Sequence, residues 1–152
     1  MSVKDKFIKL ISSFFYLGYS PVIPGTVGAF GGLLIYFLVK SNTYLYALIL
    51  ILIGVAGFLI TGRAEDLFGE IDCSKIVIDE VAGILVALFL VPPQPPFIVL
   101  GFILFRGFDA VKPFPFDRLQ KLPGATGIML DDLGAGLYTN LILQITRILL
   151  GL

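Results

Sequence analysis

The chain has 152 residues, 57% of them apolar and 14% charged, against roughly 45–50% and 25% in an ordinary soluble domain, so the composition points away from a water-soluble monomer. Eleven basic residues balance eleven acidic ones, which leaves no basic field to gather nucleic acid and no acidic tail. One cysteine and no histidine exclude an intramolecular disulfide, the common zinc sites and every histidine-dependent scheme, and leave chemistry to carboxylates, Lys, Arg and the backbone.

In chain order, Val3, Phe7, Leu10, Ile11 and Phe14 recur at three- and four-residue spacing, with Lys4, Lys6 and Lys9 on the other side. That pattern predicts an amphipathic helix over 1–17 lying in the headgroup region. No small-residue cleavage site follows it, so it does not read as a signal peptide. Uncharged runs then mark membrane helices, because a span needs about 20 mostly apolar residues and charge near the bilayer centre is costly. Gly18 to Gly25 interrupts the first run and leaves a helix over about 26–39, and 42–61 is the cleanest span. The run 81–105 is divided by Pro92-Pro93-Gln94-Pro95-Pro96, which cannot continue a helix, giving spans over 76–91 and 96–111. The last span covers 132–150. The expected fold class is all-α: one domain over 1–152, a polytopic membrane bundle of about five transmembrane helices plus the interfacial helix.

With the N-terminus inside, Lys4, Lys6, Lys9, Arg63, Lys75, Arg106, Lys112, Arg118 and Lys121 fall on the cytoplasmic side, and only Lys40 and Arg147 fall outside. That distribution satisfies the positive-inside rule, and the opposite orientation violates it. All the carboxylates lie in the cytoplasmic segments or at their helix mouths.

Three stretches are more specified than a passive bundle requires. In Ser20-Pro-Val-Ile-Pro24-Gly25-Thr26-Val-Gly28, Thr26 can sit as the N-cap of the following helix, and such a terminus attracts phosphate. A Pro-Gly start followed by small residues for helix packing explains the stretch as well. In Lys75-Ile-Val-Ile-Asp79-Glu80-Val-Ala-Gly83, two adjacent acids stand within the apolar zone at a helix mouth. Asp79 and Gly83 share a face, where the glycine lets a neighbouring helix approach closely. Acids near a helix start also favour its dipole, but charges at that depth pair with something or act.

The third stretch runs Phe105-Arg106-Gly-Phe108-Asp109-Ala-Val-Lys112-Pro113-Phe-Pro115-Phe-Asp117-Arg118, then Gly124 to Gly136 with Asp131-Asp132. Arg106, Asp109 and Lys112 fall three apart along one stripe that Pro113 ends, and Asp131-Asp132 opens the last span. An Arg106–Asp109 ion pair with helix-start acids on a solvated loop is the plainer reading. Phe105, Phe108, Phe114 and Phe116 could hold the substrate at headgroup depth, although plain packing accounts for them too.

Asp79, Glu80, Asp109, Asp131 and Asp132 thus converge on one membrane face beside Lys and Arg. Oxygen-only ligands favour Mg²⁺, with Mn²⁺ as a substitute. A carboxylate-held metal with nearby cations suits hydrolysis of a phosphate ester, here of a phosphorylated lipid. There is no Cys-x5-Arg and no Asp-x-Asp, which removes the cysteine-dependent and haloacid dehalogenase chemistries.

The residues resemble the phosphatidylglycerophosphatase A family, bacterial membrane enzymes that remove the terminal phosphate of phosphatidylglycerophosphate with Mg²⁺. The resemblance covers about residues 18–137. It rests on Ser20-Pro-x-x-Pro-Gly-Thr-x-Gly28, Ile78-Asp-Glu-x-x-Gly83, Arg106-x-Phe-Asp109-x-x-Lys-Pro-x-Pro115 and Gly127-Ile-Met-Leu-Asp-Asp-Leu-x-Ala-Gly136. It departs at Asp72-Cys73 and at Gly124-Ala-Thr126, which bear on loop shape and touch no carboxylate. The resemblance implies that Asp79, Glu80, Asp109, Asp131 and Asp132 are the catalytic and metal carboxylates, with Glu80, Asp109, Asp131 and Asp132 as the ligands. Thr26, Arg106 and Lys112 become phosphate contacts, and Arg118 is added as a further substrate contact. It also implies the bacterial cytoplasmic membrane, with the active site on the cytoplasmic face. The simplest scheme is attack by a metal-activated water with Asp79 as base. A small cation or solute carrier built on intramembrane acids is the alternative, and a non-catalytic assembly subunit a third reading.

Overall fold

The computed structural model describes residues 2–71, 73–114, 118 and 122–151. Among them there are six α-helices, one 3-10 turn and no strand. Helix α1, Val3–Ser12, starts with a capping box: Ser2 Oγ accepts from the Asp5 N–H and Asp5 Oδ2 accepts from the Ser2 N–H, so two otherwise unpaired donors are satisfied. Phe14, Phe15 and Tyr16 then take positive φ angles before a 3-10 turn over Leu17–Tyr19. Helix α2 spans Pro24–Val39. It begins with proline, whose missing N–H would be unpaired in the first turn anyway, so Ile23 and not Thr26 occupies the N-cap.

Helix α3, Thr43–Phe68, is capped by the Asn42 side chain and ends on Gly69 at φ 72°. It runs past the expected end at residue 61 because nothing between Gly62 and Phe68 breaks it. There the Arg63–Asp66 pair, 3.5 Å apart, lies on adjacent turns. Helix α4, Ile78–Leu88, is shorter than the expected 76–91. Its last carbonyls are taken by α6: the Asn140 amide donates to Val86, Ala87 and Phe89 oxygens at 3.1, 3.1 and 2.7 Å. These bonds satisfy acceptors that a longer helix would have used internally. Helix α5 covers Pro95–Val111 and stops as Lys112 turns to φ 49°. Helix α6, Ala125–Leu149, starts after Gly124 at φ 61°, about two turns before the expected start at 132. Asp131 and Asp132 therefore sit in its second turn and do not open it.

Helix α4 is the hub, packed against α2, α3, α5 and α6, with nine of its eleven residues buried. An apolar helix buried all round sits inside a bundle. The outer helices are different. On α3, Leu48, Ile51, Leu52, Val55, Phe58 and Leu59 are all exposed and line one helical face. An apolar face of that extent marks contact with lipid or another chain. By length and composition α3 is the one described helix fit to cross a membrane, and α2 is a shorter apolar helix. Helices α2, α4 and α5 have 16, 11 and 17 residues, or about 24, 16 and 26 Å at 1.5 Å per residue. Each falls short of the roughly 30 Å hydrocarbon core, so the structure does not by itself deliver five spans.

The α4–α6 crossing should be sensitive to one methyl group. A Cβ on Gly136 would stand on the Gly83 carbonyl oxygen, whereas one on Gly54 would meet nothing within 4 Å. Gly136→Ala should lower stability by about 1–3 kcal/mol, while Gly54→Ala should leave it unchanged or raise it by up to ~1 kcal/mol. Thermal unfolding in detergent checks this, and the opposite ranking would mean the two backbones do not touch.

Candidate functional site

The crossing of α4 and α6 assembles the site. A Cβ at Gly83 would lie 2.5 Å from Phe105 Cε2 and 2.8 Å from the Asp132 carbonyl oxygen. Asp79 stands one turn before Gly83, Asp132 one turn before Gly136, and Asp109 one turn after Phe105. Residues four apart share a helix face, so the contact that joins the three helices also turns three carboxylates toward one another.

Two groups of carboxylates result. Asp79, Glu80 and Asp132 offer oxygens within 4.8 Å of one another, as do Asp109, Asp131 and Asp132. All five border one cavity of about 110 Å³ with Lys112 at its edge. Asp79, Asp131 and Asp132 are 7%, 4% and 4% exposed, a depth at which unpaired charge is strongly disfavoured. Asp79 Oδ1 and Glu80 Oε2 are buried without a hydrogen-bond partner. Oxygens left that way in a donor set made only of carboxylates fit a hard divalent cation.

Two cations stand beside them. Arg106 Nη1 is 2.6 Å from Asp109 Oδ2, although no acceptor meets that nitrogen at hydrogen-bonding geometry. The pair foreseen in the plainer reading thus forms, but at a carboxylate that belongs to the cavity. Lys112 does not continue the Arg106–Asp109 stripe. It leaves the helix at φ 49° and reaches across to Asp131 Oδ2 at 2.5 Å.

The first turn of α2 closes the site from another side. A Cβ on Gly25 would stand on Glu80 Oε1 and lie 3.2 Å from Arg106 Nη2. Pro24 has no N–H and the Val27 N–H donates to the Ile23 carbonyl, so the Gly25 and Thr26 N–H groups have no intrahelical acceptor. Thr26 is half-buried there and does not line the carboxylate cavity. Arg118 is exposed, with its guanidinium 4.9 Å from the centre of the Phe114 ring, and is likewise not a lining residue. Phe105 is fully buried against Gly83, Phe108 meets Tyr138 edge-on, and Phe114 is exposed. Asp72, Pro115, Phe116, Asp117 and Lys121 lie outside the described residues.

Ile128 also lines the cavity, as do Cys73, Ser74 and Ile76, none of which the sequence marks for a role in the site. Their segment is fixed from the N-terminus. The Val77 N–H donates to the Ser12 carbonyl at 2.9 Å, and a Cβ on Gly18 would stand on the Lys75 carbonyl oxygen. Lys75 Nζ points to the Tyr19 and Phe68 rings, 5.6 and 5.7 Å from their centres. Burial pushes the Cys73 thiol above its ordinary range, so this cysteine is not an activated nucleophile.

Fold and site define a class: a helical protein with an apolar outer surface and a buried centre of carboxylate oxygens flanked by cations. A family model described as Phosphatidylglycerophosphatase A matches residues 10–147. The chain belongs to the phosphatidylglycerophosphatase A family of lipid phosphatases. It is 34% identical to phosphatidylglycerophosphatase A of Escherichia coli over 136 residues, covering 86% of this chain and 77% of that protein. The Haemophilus influenzae protein of the same name is 34% identical over 151 residues, with 89% and 85% covered. A Bacteroides thetaiotaomicron protein provisionally named phosphatidylinositol-3-phosphatase is also 34% identical over 151 residues, with 93% and 94% covered. No solved structure matches the chain.

Asp132 alone belongs to both carboxylate groups. Asp132→Asn should therefore weaken Mn²⁺ binding, read by electron paramagnetic resonance, at least ~10-fold. Asp66→Asn, on the surface beside Arg63, should not change it. Equal affinity in the two variants would show that the ion binds elsewhere.

Proposed function

We propose that the protein is a Mg²⁺-dependent phosphatase that hydrolyses the terminal phosphate monoester of phosphatidylglycerophosphate. The products are phosphatidylglycerol and inorganic phosphate, and the step belongs to phospholipid biosynthesis. The observation that carries this reading is the buried cavity in which five carboxylates, two with unpartnered oxygens, meet Arg106 and Lys112. The names of the relatives from Escherichia coli and Haemophilus influenzae supply the substrate.

Glu80, Asp109, Asp131 and Asp132 would hold the cation, with Mn²⁺ able to replace Mg²⁺. A divalent ion in such a site neutralises charge on the phosphoryl oxygens and makes water a better nucleophile. Asp79, with Oδ1 unpartnered, takes the proton of the attacking water. Arg106 and Lys112 can exchange part of their pairing with Asp109 and Asp131 for non-bridging phosphate oxygens. The Thr26 end of α2 adds N–H donors and a positive dipole on the same side. Arg118 is placed at the outer approach of the substrate, outside the cavity.

The same reading makes residues 1–152 one membrane-embedded domain in the bacterial cytoplasmic membrane. Helices α2 to α6 form the spanning bundle, α1 lies in the headgroup layer, and the carboxylate end faces the cytoplasm. The exposed apolar face of α3 and the distribution of basic residues support it. Placement of the acids at one end, not at mid-bundle, disfavours a carrier. The name of the Bacteroides relative points to another lipid phosphate monoester, so the reaction class is shared and the headgroup is what an assay must resolve.

Protein purified in detergent should release phosphate from phosphatidylglycerophosphate with Mg²⁺. Release should stop with EDTA and return with Mg²⁺ or Mn²⁺. Asp79→Asn should lower kcat by ~10²–10⁴-fold. Phosphate release that persists in EDTA would remove the metal mechanism, and cation uptake into liposomes without hydrolysis would favour the carrier.

A further inference from the structure

At the rim of the carboxylate cavity stand two lysines that have no part in the hydrolysis proposed above. Ser74 and Ile76 line that cavity, and Lys75 between them is exposed. Lys75 Nζ lies 5.7 Å from the centre of the Phe68 ring, and Lys9 Nζ lies 4.7 Å from the same centre. The hydrogen bond from the Val77 N–H to Ser12 and the packing of α1 on α3 bring these distant parts of the chain together.

A cation over an aromatic face is held by the ring's quadrupole, which accounts for each lysine singly. Two ammonium groups at one ring also repel each other, and the ring does not offset that. The acids nearby are engaged elsewhere: Asp5, one turn before Lys9, lies 4.0 Å from Arg63, and Glu70 interacts with the Cys73 thiol. An anion shared by both ammoniums relieves their repulsion, and phosphate oxygens suit such donors. The surface beside them is apolar. Phe14, Phe15 and Tyr16 take φ 44°, 56° and 68°, a region that residues other than glycine seldom enter. Phe15 and Tyr16 are 62% and 56% exposed, and Val22 and Ile23 65% and 62%. Backbone strain of this kind collects at segments that touch ligands. Tyr19 joins the two features, with its ring 5.4 Å from that of Tyr16, 6.2 Å from that of Phe68 and 5.6 Å from Lys75 Nζ. The same loop continues to the active site, with Gly18 against the Lys75 carbonyl and Gly25 against Glu80. Carboxylates, lysines and exposed rings thus follow one another along one loop.

We propose that Lys9 and Lys75 hold the diester phosphate of the lipid whose terminal monoester enters the carboxylate cavity, with its acyl chains against the exposed side chains of 15–23. The order of the three features matches the order of monoester, diester and acyl chains in such a lipid, and the flexible lysine stems allow the ammoniums to close on it. This assignment rests on the proposed function for its substrate class. It adds the means by which a lipid with two phosphates is selected over one that carries a monoester alone.

Two readouts on the full chain in detergent test it. In the first, kcat/KM for phosphatidylglycerophosphate is divided by kcat/KM for phosphatidic acid, a lipid monoester with no diester phosphate. Lys75→Gln should lower that ratio about tenfold through a higher KM for phosphatidylglycerophosphate, Lys9→Gln with Lys75→Gln should lower it further, and Lys75→Arg should keep it. Lys40→Gln, at the far end of α2 beside a second cavity of about 430 Å³, should not change it. In the second, native mass spectrometry in EDTA compares retention of phosphatidylglycerol, which keeps the diester and lacks the monoester, with that of diacylglycerol. The wild type should retain phosphatidylglycerol more strongly, and the double lysine variant should lose the difference. Hydrolysis with an unchanged ratio and unchanged retention in Lys75→Gln and in the double variant would overturn this assignment alone. Retention that depends on the lysines without any hydrolysis would overturn the proposed function alone. Displacement of phosphatidylglycerol by millimolar inorganic phosphate would give the lysines to a free anion and overturn the assignment as well.

Discussion

Five carboxylates gathered around a cavity of about 110 Å³ repel one another, and most of the design follows from how that repulsion is offset. Arg106 and Lys112 pair with Asp109 and Asp131. Five carboxylates still outnumber two cations, and two oxygens, on Asp79 and Glu80, lack partners. Desolvated charge of that kind is tolerated only where further positive charge joins it. On electrostatic grounds the buried acids are suited to hold a metal ion, and the family to which the chain belongs gives such a site a substrate class.

The backbone meets this demand through small residues. Gly83 and Gly136 let α4 and α6 touch, Phe105 packs on the same glycine, and each acid lies one turn from its contact. Small residues at a crossing also serve helices surrounded by lipid, where no hydrophobic force holds them together. The bonds from Asn140 to the last carbonyls of α4 fix the opposite end of the same pair of helices.

Much of the site was legible in the sequence, because buried acids stand out in an apolar chain and helical spacing converts position into direction. All five carboxylates named on that basis border one cavity, and Gly83 does admit a neighbouring helix. What was illegible depends on contacts between distant segments. The early end of α4 is set by side chains of α6. Lys112 turns away from its helix to reach Asp131, which no periodicity encodes. The residues around Cys73 are held by Ser12 and Gly18, and Thr26 loses the N-cap to Ile23 because proline begins the helix. Hydropathy found the helices but overstated α4, since burial inside a bundle and burial in lipid select the same side chains.

The described carboxylates of the cavity gather at one end of the bundle, and Lys40 and Arg147 line a second cavity at the other. The acidic end is the one on which the account stands. Anomalous diffraction from crystals grown with Mn²⁺ tests it most directly. The account predicts a peak within coordination distance of Asp132 and of at least two of Asp79, Glu80, Asp109 and Asp131. Ordered carboxylates with no peak between them, or manganese bound only at the surface, would contradict it.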